Sequence, residues 1–228
     1  VTWAVNKCDG RRWREHGNGL IEVEGEGIPF VEPTDPRFPL MEQTWANWEP
    51  YFRAASRRHG VPLPWLLAIA SVETGFVSDR PNVQASIVSP AGAQGVMQLM
   101  PGTATMYGIS SAERSDPEKN IDAATAFIRA LMDGYTGPEL PHIGSAYNAG
   151  PGATTRGVHC STSNEWRLRA DHNYPRQVIE YNNSAREYLG IGSSTLNLGA
   201  VAGVGLAAAG VAVAYLVWTG RGPRWLGV

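Results

Sequence analysis

The sequence predicts a mainly α-helical fold: a compact bundle of short helices, entered through an irregular N-terminal arm and left through one long apolar segment. Three observations predict it. Apolar residues recur at i, i+3, i+4 and i+7 between residues 40 and 190, the spacing of one helix face. The 26 Gly and 16 Pro interrupt those stripes often enough to keep each helix short. Strand-like alternation is missing after residue 40.

Residues 1–40 are read as an accessory arm. Leu20–Glu24 and Ile28–Glu32 flank Gly25-Glu26-Gly27 and can pair as a short hairpin, after which Pro33, Pro36 and Pro39 break regular structure. Helical patterning begins at Glu42. Pro50 suits the first turn of a helix that runs to His59 and stops at Gly60. Pro64 starts the next, Trp65–Glu73, whose stripe is Leu66, Ile69, Ala70 and Glu73. A short helix over Pro101–Tyr107 closes at Gly108. Asp116-Pro117-Glu118 is an N-cap, a first-turn proline and a first-turn acid, and Ile121, Ala124, Ile128 and Leu131 follow as a stripe up to Gly134. Pro141–Ala149 and Tyr174–Leu189 are the remaining helices, separated by a polar loop over Thr155–Asp171.

The last segment differs in kind. Thr195–Thr219 holds 18 apolar residues of 25 and no charge. As a helix it measures ~37 Å at about 1.5 Å per residue, longer than a bilayer core of roughly 30 Å. Trp218, Arg221, Arg224 and Trp225 gather at one end, as interface anchors do. Residues 1–194 hold all 21 acidic residues and 17 of the 19 basic ones, a net charge of −4. The organisation read from this is an arm (1–40), a catalytic domain (41–193), a transmembrane helix (194–220) and a basic tail (221–228). The positive-inside rule places the C-terminus in the cytoplasm. Residues 1–19 are rich in charge and lack an apolar core, so no secretory leader is expected there. An acidic balance argues against nucleic acid as a partner. Cys8 and Cys160 are too few for a disulfide scaffold; paired and free thiols remain open alternatives. The five histidines show no metal-ligand spacing, so neither a metal nor another cofactor is expected.

One residue is out of place. Glu73 continues the apolar face of the helix WLLAIASVE, where burial disfavours the charged form and raises the pKa. A carboxylic acid still protonated near neutrality can donate a proton to a leaving oxygen. Taken alone, a terminal Glu more often frays into water. Asp79, six residues on, has polar neighbours and reads as part of a solvated loop rather than as a second catalytic carboxylate.

Four motifs in order decide how Glu73 is read. Glu73-Thr74, Gly95-Val96-Met97-Gln98, Ala146-Tyr147-Asn148-Ala149-Gly150 and Asn173-Tyr174, with Asp116–Ile121 (DPEKNI) between the second and third, resemble the soluble lytic transglycosylase domain of the lysozyme-like superfamily over about residues 45–190. Thr74 stands where that family has Ser, Val96 where it has Leu, and Pro175 follows the late Tyr. The resemblance implies a lysozyme-like fold and cleavage of peptidoglycan between N-acetylmuramic acid and N-acetylglucosamine. Glu73 would protonate the glycosidic oxygen, the substrate N-acetyl group would stabilise C1, and the ionised Glu73 would take the C6 hydroxyl proton as a 1,6-anhydro ring closes. That scheme needs one protein carboxylate where most glycosidases use two.

The same resemblance implies Thr74, Gln98, Met100, Tyr147, Asn148 and Tyr174 as substrate-binding residues. Gln98 would hydrogen-bond sugar or acetamido groups, Met100 would pack under a ring, Tyr147 would bond the carboxyl or the N-acetyl group, and Tyr174 would close the cleft. Implied partners are glycan strands, a lipid membrane through residues 195–219, and proteins of a virion or of a secretion or conjugation machine. The catalytic domain would then lie on the periplasmic, cell-wall side or in a virion. Two alternatives stay open: a lysozyme-type hydrolase of the same bond, and a non-catalytic peptidoglycan-binding protein on the same fold.

Overall fold

Helix α1 (Arg37–His59) is the frame on which the domain is built. Its buried stripe, Met41, Thr44, Trp45, Trp48, Phe52 and Ala55, runs unbroken through Pro50. The helix therefore begins at Arg37 rather than near Glu42, and Pro50 sits inside it rather than in its first turn. Proline costs a helix the hydrogen bond to the i−4 carbonyl. Here both Pro50 and Ala46 face solvent, so water can satisfy that carbonyl while the buried stripe holds the helix together. Gly60, at φ +66°, ends it with its N–H on the Ser56 carbonyl.

The computed structural model describes residues 2–5, 10–75, 79–134, 140–150 and 174–191. They fall in one unit, Val1–Gly192; the other, Ser193–Val228, contains none of them. Cys8, Cys160, the loop expected over 155–171, the apolar span 195–219 and the basic tail lie outside the described residues. Among the described residues no helix is long and apolar enough to cross a membrane.

The arm is more ordered than its prolines suggest. Strands β1 (Ala4–Val5), β2 (Arg12–Glu15) and β3 (Ile21–Val23) form an antiparallel sheet in the order β1-β2-β3. The hairpin expected around Gly25–Gly27 is replaced by one a turn earlier. β3 pairs with β2 across residues 16–20, and only the Val23–Gly27 bridge forms on the other side. Side chains explain the choice: Trp13 pairs with Val23 on the buried face, and Arg14–Glu22 and Arg12–Glu24 pair on the other. Pro29, by contrast, has no N–H to offer a partner strand.

Helix α2 (Leu63–Ala70) is apolar on every side and buried from Pro64 onward. It continues as a π-helical turn, Ser71–Gly75, which carries Glu73. Helix α3 (Pro81–Ser86), in a stretch expected as loop, is tied to α1 by Gln84, whose amide donates to Thr44 and accepts from the Trp48 indole. Helices α4 (Pro101–Met106), α5 (Pro117–Gly134) and α6 (Leu140–Ala149) follow, with a 3-10 turn at Ala112–Ser115. Asp116 caps α5 through the Lys119 N–H. Helix α7 (Tyr174–Tyr188) packs against α2 and α6 and closes the core.

Candidate active site

Glu73 is placed by a local irregularity. The extra residue of a π turn rotates the end of α2, and such turns recur at functional sites. The carboxyl is part-buried and accepts a hydrogen bond from the Tyr174 hydroxyl, 2.6 Å from Oε1. Burial pushes its pKa up to about 7, and the Tyr174 hydroxyl partly opposes that rise. A carboxyl so poised holds a proton near neutrality and can give it up and take it back. Burial and the Glu73 charge raise the phenols of Tyr174 and Tyr147 well above their ordinary value, so both remain donors.

The loop facing Glu73, residues 87–100, is stitched from three directions. Thr74 Oγ1 donates to the Val96 carbonyl (2.9 Å) and Tyr147 Oη to the Met97 carbonyl (2.6 Å). From the far side Asn120 accepts the Met97 N–H (2.8 Å) and donates to the carbonyls of Gln94 and Arg114. Arg114 donates to the carbonyls of Gly92 and Leu99. The Gly95 backbone passes so close that a Cβ there would lie 2.2 Å from the Arg114 carbonyl oxygen. Gln98, at φ +48°, is the only described non-glycine residue with positive φ. Its Nε2 donates to the Gly95 carbonyl (2.9 Å), and its Oε1 has no partner among the described residues.

The expected site residues therefore separate. Glu73 and Tyr174 are in direct contact, and Gln98 lies on the loop that Thr74 and Tyr147 hold beside them. Met100 is 43 % exposed and Asn148 is exposed, both open to a ligand. Thr74 departs from its expected role. It is fully buried and its hydroxyl is engaged inside, so it positions the loop and has no face to offer a sugar. The Tyr147 hydroxyl goes to the Met97 carbonyl rather than to the carboxyl, and the hydroxyl that reaches Glu73 is that of Tyr174. Asp79 is exposed. Arg114 and Asn120 were not singled out from the sequence; only the DPEKNI run hinted at Asn120. Among the described residues no group of three or more His, Cys, Asp or Glu side chains could hold a metal ion.

Comparison with known proteins points one way. The profile of one family, the transglycosylase SLT domain, matches residues 50–166. The soluble lytic murein transglycosylase of Escherichia coli (strain K12) is 33 % identical over 126 residues, 52 % of this chain and 17 % of that protein. The membrane-bound lytic murein transglycosylase C of Glaesserella parasuis is 36 % identical over 122 residues, 47 % of this chain and 32 % of the relative. Among solved structures, the 70 kDa soluble lytic transglycosylase from Escherichia coli superposes with a TM-score of 0.54 at 23 % identity, over 68 % of this chain and 29 % of that one. A complex of the 70-kDa soluble lytic transglycosylase with bulgecin A gives a TM-score of 0.55 at 25 % identity, over 69 % of this chain and 27 % of that one. The helical fold is shared with these structures, and the chain spans less than a third of the length of each relative.

Proposed function

The chain belongs to the transglycosylase SLT domain family, and on that premise we propose that it is a peptidoglycan lytic transglycosylase with Glu73 as its single acid and base. The observation that carries the reading is the part-buried Glu73 carboxyl, at a pKa of about 7 and bonded to Tyr174. Glu73 protonates the glycosidic oxygen between N-acetylmuramic acid and N-acetylglucosamine. The substrate acetamido group meets the positive charge that develops at C1. The carboxylate then removes the C6 hydroxyl proton as that oxygen attacks C1, giving a 1,6-anhydro end. A pKa near 7 serves both halves, because neither protonation state is far from populated at neutral pH. Gln98, Met100, Asn148 and Tyr174 contact the glycan, while Thr74 and Tyr147 hold the loop that presents Gln98. Digestion of purified glycan strands should release 1,6-anhydro muropeptides, read by mass. Reducing ends would support water attack, and no release would support a binding protein.

The setting follows from the rest of the chain. Residues 195–219, apolar and uncharged, anchor the domain in a membrane, with Arg221 and Arg224 on the cytoplasmic side and the catalytic domain facing the wall. A wall-cutting domain tied to a membrane suits local penetration of the wall, by a virion or by a secretion or conjugation machine. The full-length protein should stay with the membrane fraction in high salt and leave it only with detergent. Release by salt alone would overturn the anchor.

A further inference from the structure

Six side chains of alternating sign run from the arm across α7 to the start of α1. Arg11 pairs with Glu26; Glu26 with Arg176 (2.8 Å); Arg176 with Glu180 (3.4 Å); Glu180 with Arg37 (2.9 Å); and Arg37 with Asp35 (2.7 Å). The centre of this row is the most enclosed part, with Arg176 8 % and Glu180 13 % exposed. Arg176 lies in the first turn of α7, two residues beyond Tyr174. That is an awkward place for a cation. The helix dipole is positive there, and little water reaches the guanidinium. The carboxylate of Glu26, brought in by the Gly25–Gly27 turn of the arm at 2.8 Å, offsets both costs together with the more distant Glu180.

The rest of the arm is fastened to the same helix. Asn183 bonds the Ile21 N–H and carbonyl and the Pro29 carbonyl, each at 2.8 Å. Ser184 accepts the Val31 N–H, and Arg186 donates to the Asn18 carbonyl. These contacts use α7 side chains one turn or more beyond the site. Among the described residues, it is the Glu26–Arg176 pair that carries the arm to the turn holding Tyr174. We propose that Glu26 is a positioning residue: acting on Arg176, it seats the first turn of α7 so that the Tyr174 hydroxyl meets the Glu73 carboxyl. The arm is then part of the acid's environment, although none of it touches substrate.

This rests on the reading of Glu73 as the acid, but the test does not require turnover. The titratable groups that face Glu73 are Tyr174 from α7, which donates to it, and Tyr147 from α6, an uncharged phenol that the Glu73 charge holds protonated. Helix α2 has no ionisable side chain, and the buried stripe of α1 is uncharged. Loosening Tyr174 removes a donor to the carboxylate, and with the carboxyl still buried that loss raises the Glu73 pKa.

The full-length protein, its Glu carboxyls labelled with carbon-13, is titrated by NMR as wild type, Glu26→Gln, Glu26→Asp, Glu22→Gln and Tyr174→Phe. Tyr174→Phe sets the largest upward shift, about one pH unit. Glu26→Gln should give at least half of that shift, Glu26→Asp should restore the wild-type midpoint, and Glu22→Gln, which removes an ion pair elsewhere on the arm, should leave it in place. The alkaline limb of the pH–rate profile should move with the NMR midpoint. A Glu26→Gln protein with a lower melting temperature and an unmoved Glu73 midpoint overturns the proposal. So does a shift equalled by Glu22→Gln. Retained cleavage by a Glu73-substituted enzyme would instead remove the catalytic reading and leave the NMR result intact.

Discussion

Glu73→Gln should abolish glycan cleavage and, at alkaline pH, make the domain more stable than the wild type. The loss of activity is the simpler half. Proton transfer by a positioned side chain is worth about 10²–10⁴-fold, and one carboxyl serves both proton transfers here. We expect kcat to fall by roughly 10³-fold or more, with KM for glycan strands little changed. Glutamine keeps the size of the side chain and can still accept the Tyr174 hydroxyl, so circular dichroism should report an unaltered fold. Cleavage within tenfold of wild type would mean that another group supplies the proton.

The gain in stability follows from the direction of the pKa shift. Glu73 titrates at about 7 in the folded protein against an ordinary 4.5. The folded state therefore binds its proton more tightly than the unfolded chain does. Below pH 4.5 both states are protonated and the group costs nothing. Between 4.5 and 7 the folded state loses ground as pH rises, and above 7 the full penalty is present. A rise from 4.5 to about 7 corresponds to about 3 kcal/mol; because the carboxyl keeps some contact with water, about 2 kcal/mol is the working figure. Urea unfolding of wild type and Glu73→Gln should coincide near pH 4 and separate by about that amount at pH 8. Equal stability at both pH values would show that burial does not hold the Glu73 pKa up. The wild type should also lose activity above pH 7, as the acid form is depleted.

How much of this could be read from the sequence depends on the range over which each feature is encoded. Helix ends marked by local chemistry were legible: Asp116-Pro117 at the start of α5, Gly60 after α1, Gly108 after α4. So was the anomaly of Glu73, because a charged residue on an apolar face is visible within one turn. Pro50 misled because the cost of a helix-interior proline is set by what its freed carbonyl faces, and only the packed helix shows that it faces water. Strand pairing in the arm also misled. The Gly25-Glu26-Gly27 signal is real as a turn, yet Trp13 and the arginines beside it favour pairing upstream. Residues acting over long sequence separations were out of reach: Asn120 bonds the Met97 N–H, and Asn183 bonds Ile21 across 162 positions. Thr74 was found by its motif, but nothing in its neighbours says that its hydroxyl meets the Val96 carbonyl.

The loop that carries Gln98 should tolerate almost no side chain at Gly95, where an added methyl group meets backbone and a fully buried side chain. Gly95→Ala should destabilise the domain by roughly 4 kcal/mol or more. Gly95 sits at φ +86°, which costs an L-residue about 1–2 kcal/mol. Its added Cβ would also lie 2.2 Å from the Arg114 carbonyl oxygen and 2.5 Å from Asn120 Nδ2. Neither can retreat freely, since that carbonyl is backbone and Asn120 is fully buried and holds two loop groups and the Arg114 carbonyl. Pushing Asn120 aside strands a buried N–H and two carbonyls, each lost bond worth about 1–3 kcal/mol. Gly92→Ala is the matched control: Gly92 has φ +90° in the same loop, and nothing lies within 4 Å of a Cβ there. It should cost only the backbone term, about 1–2 kcal/mol. Denaturant midpoints of the two variants measure the difference. If they match, close approach at Gly95 is not what holds the loop. If Gly95→Ala alone collapses and its residual folded fraction cleaves poorly, the scaffold behind Gln98 is as necessary to the site as the acid in front of it.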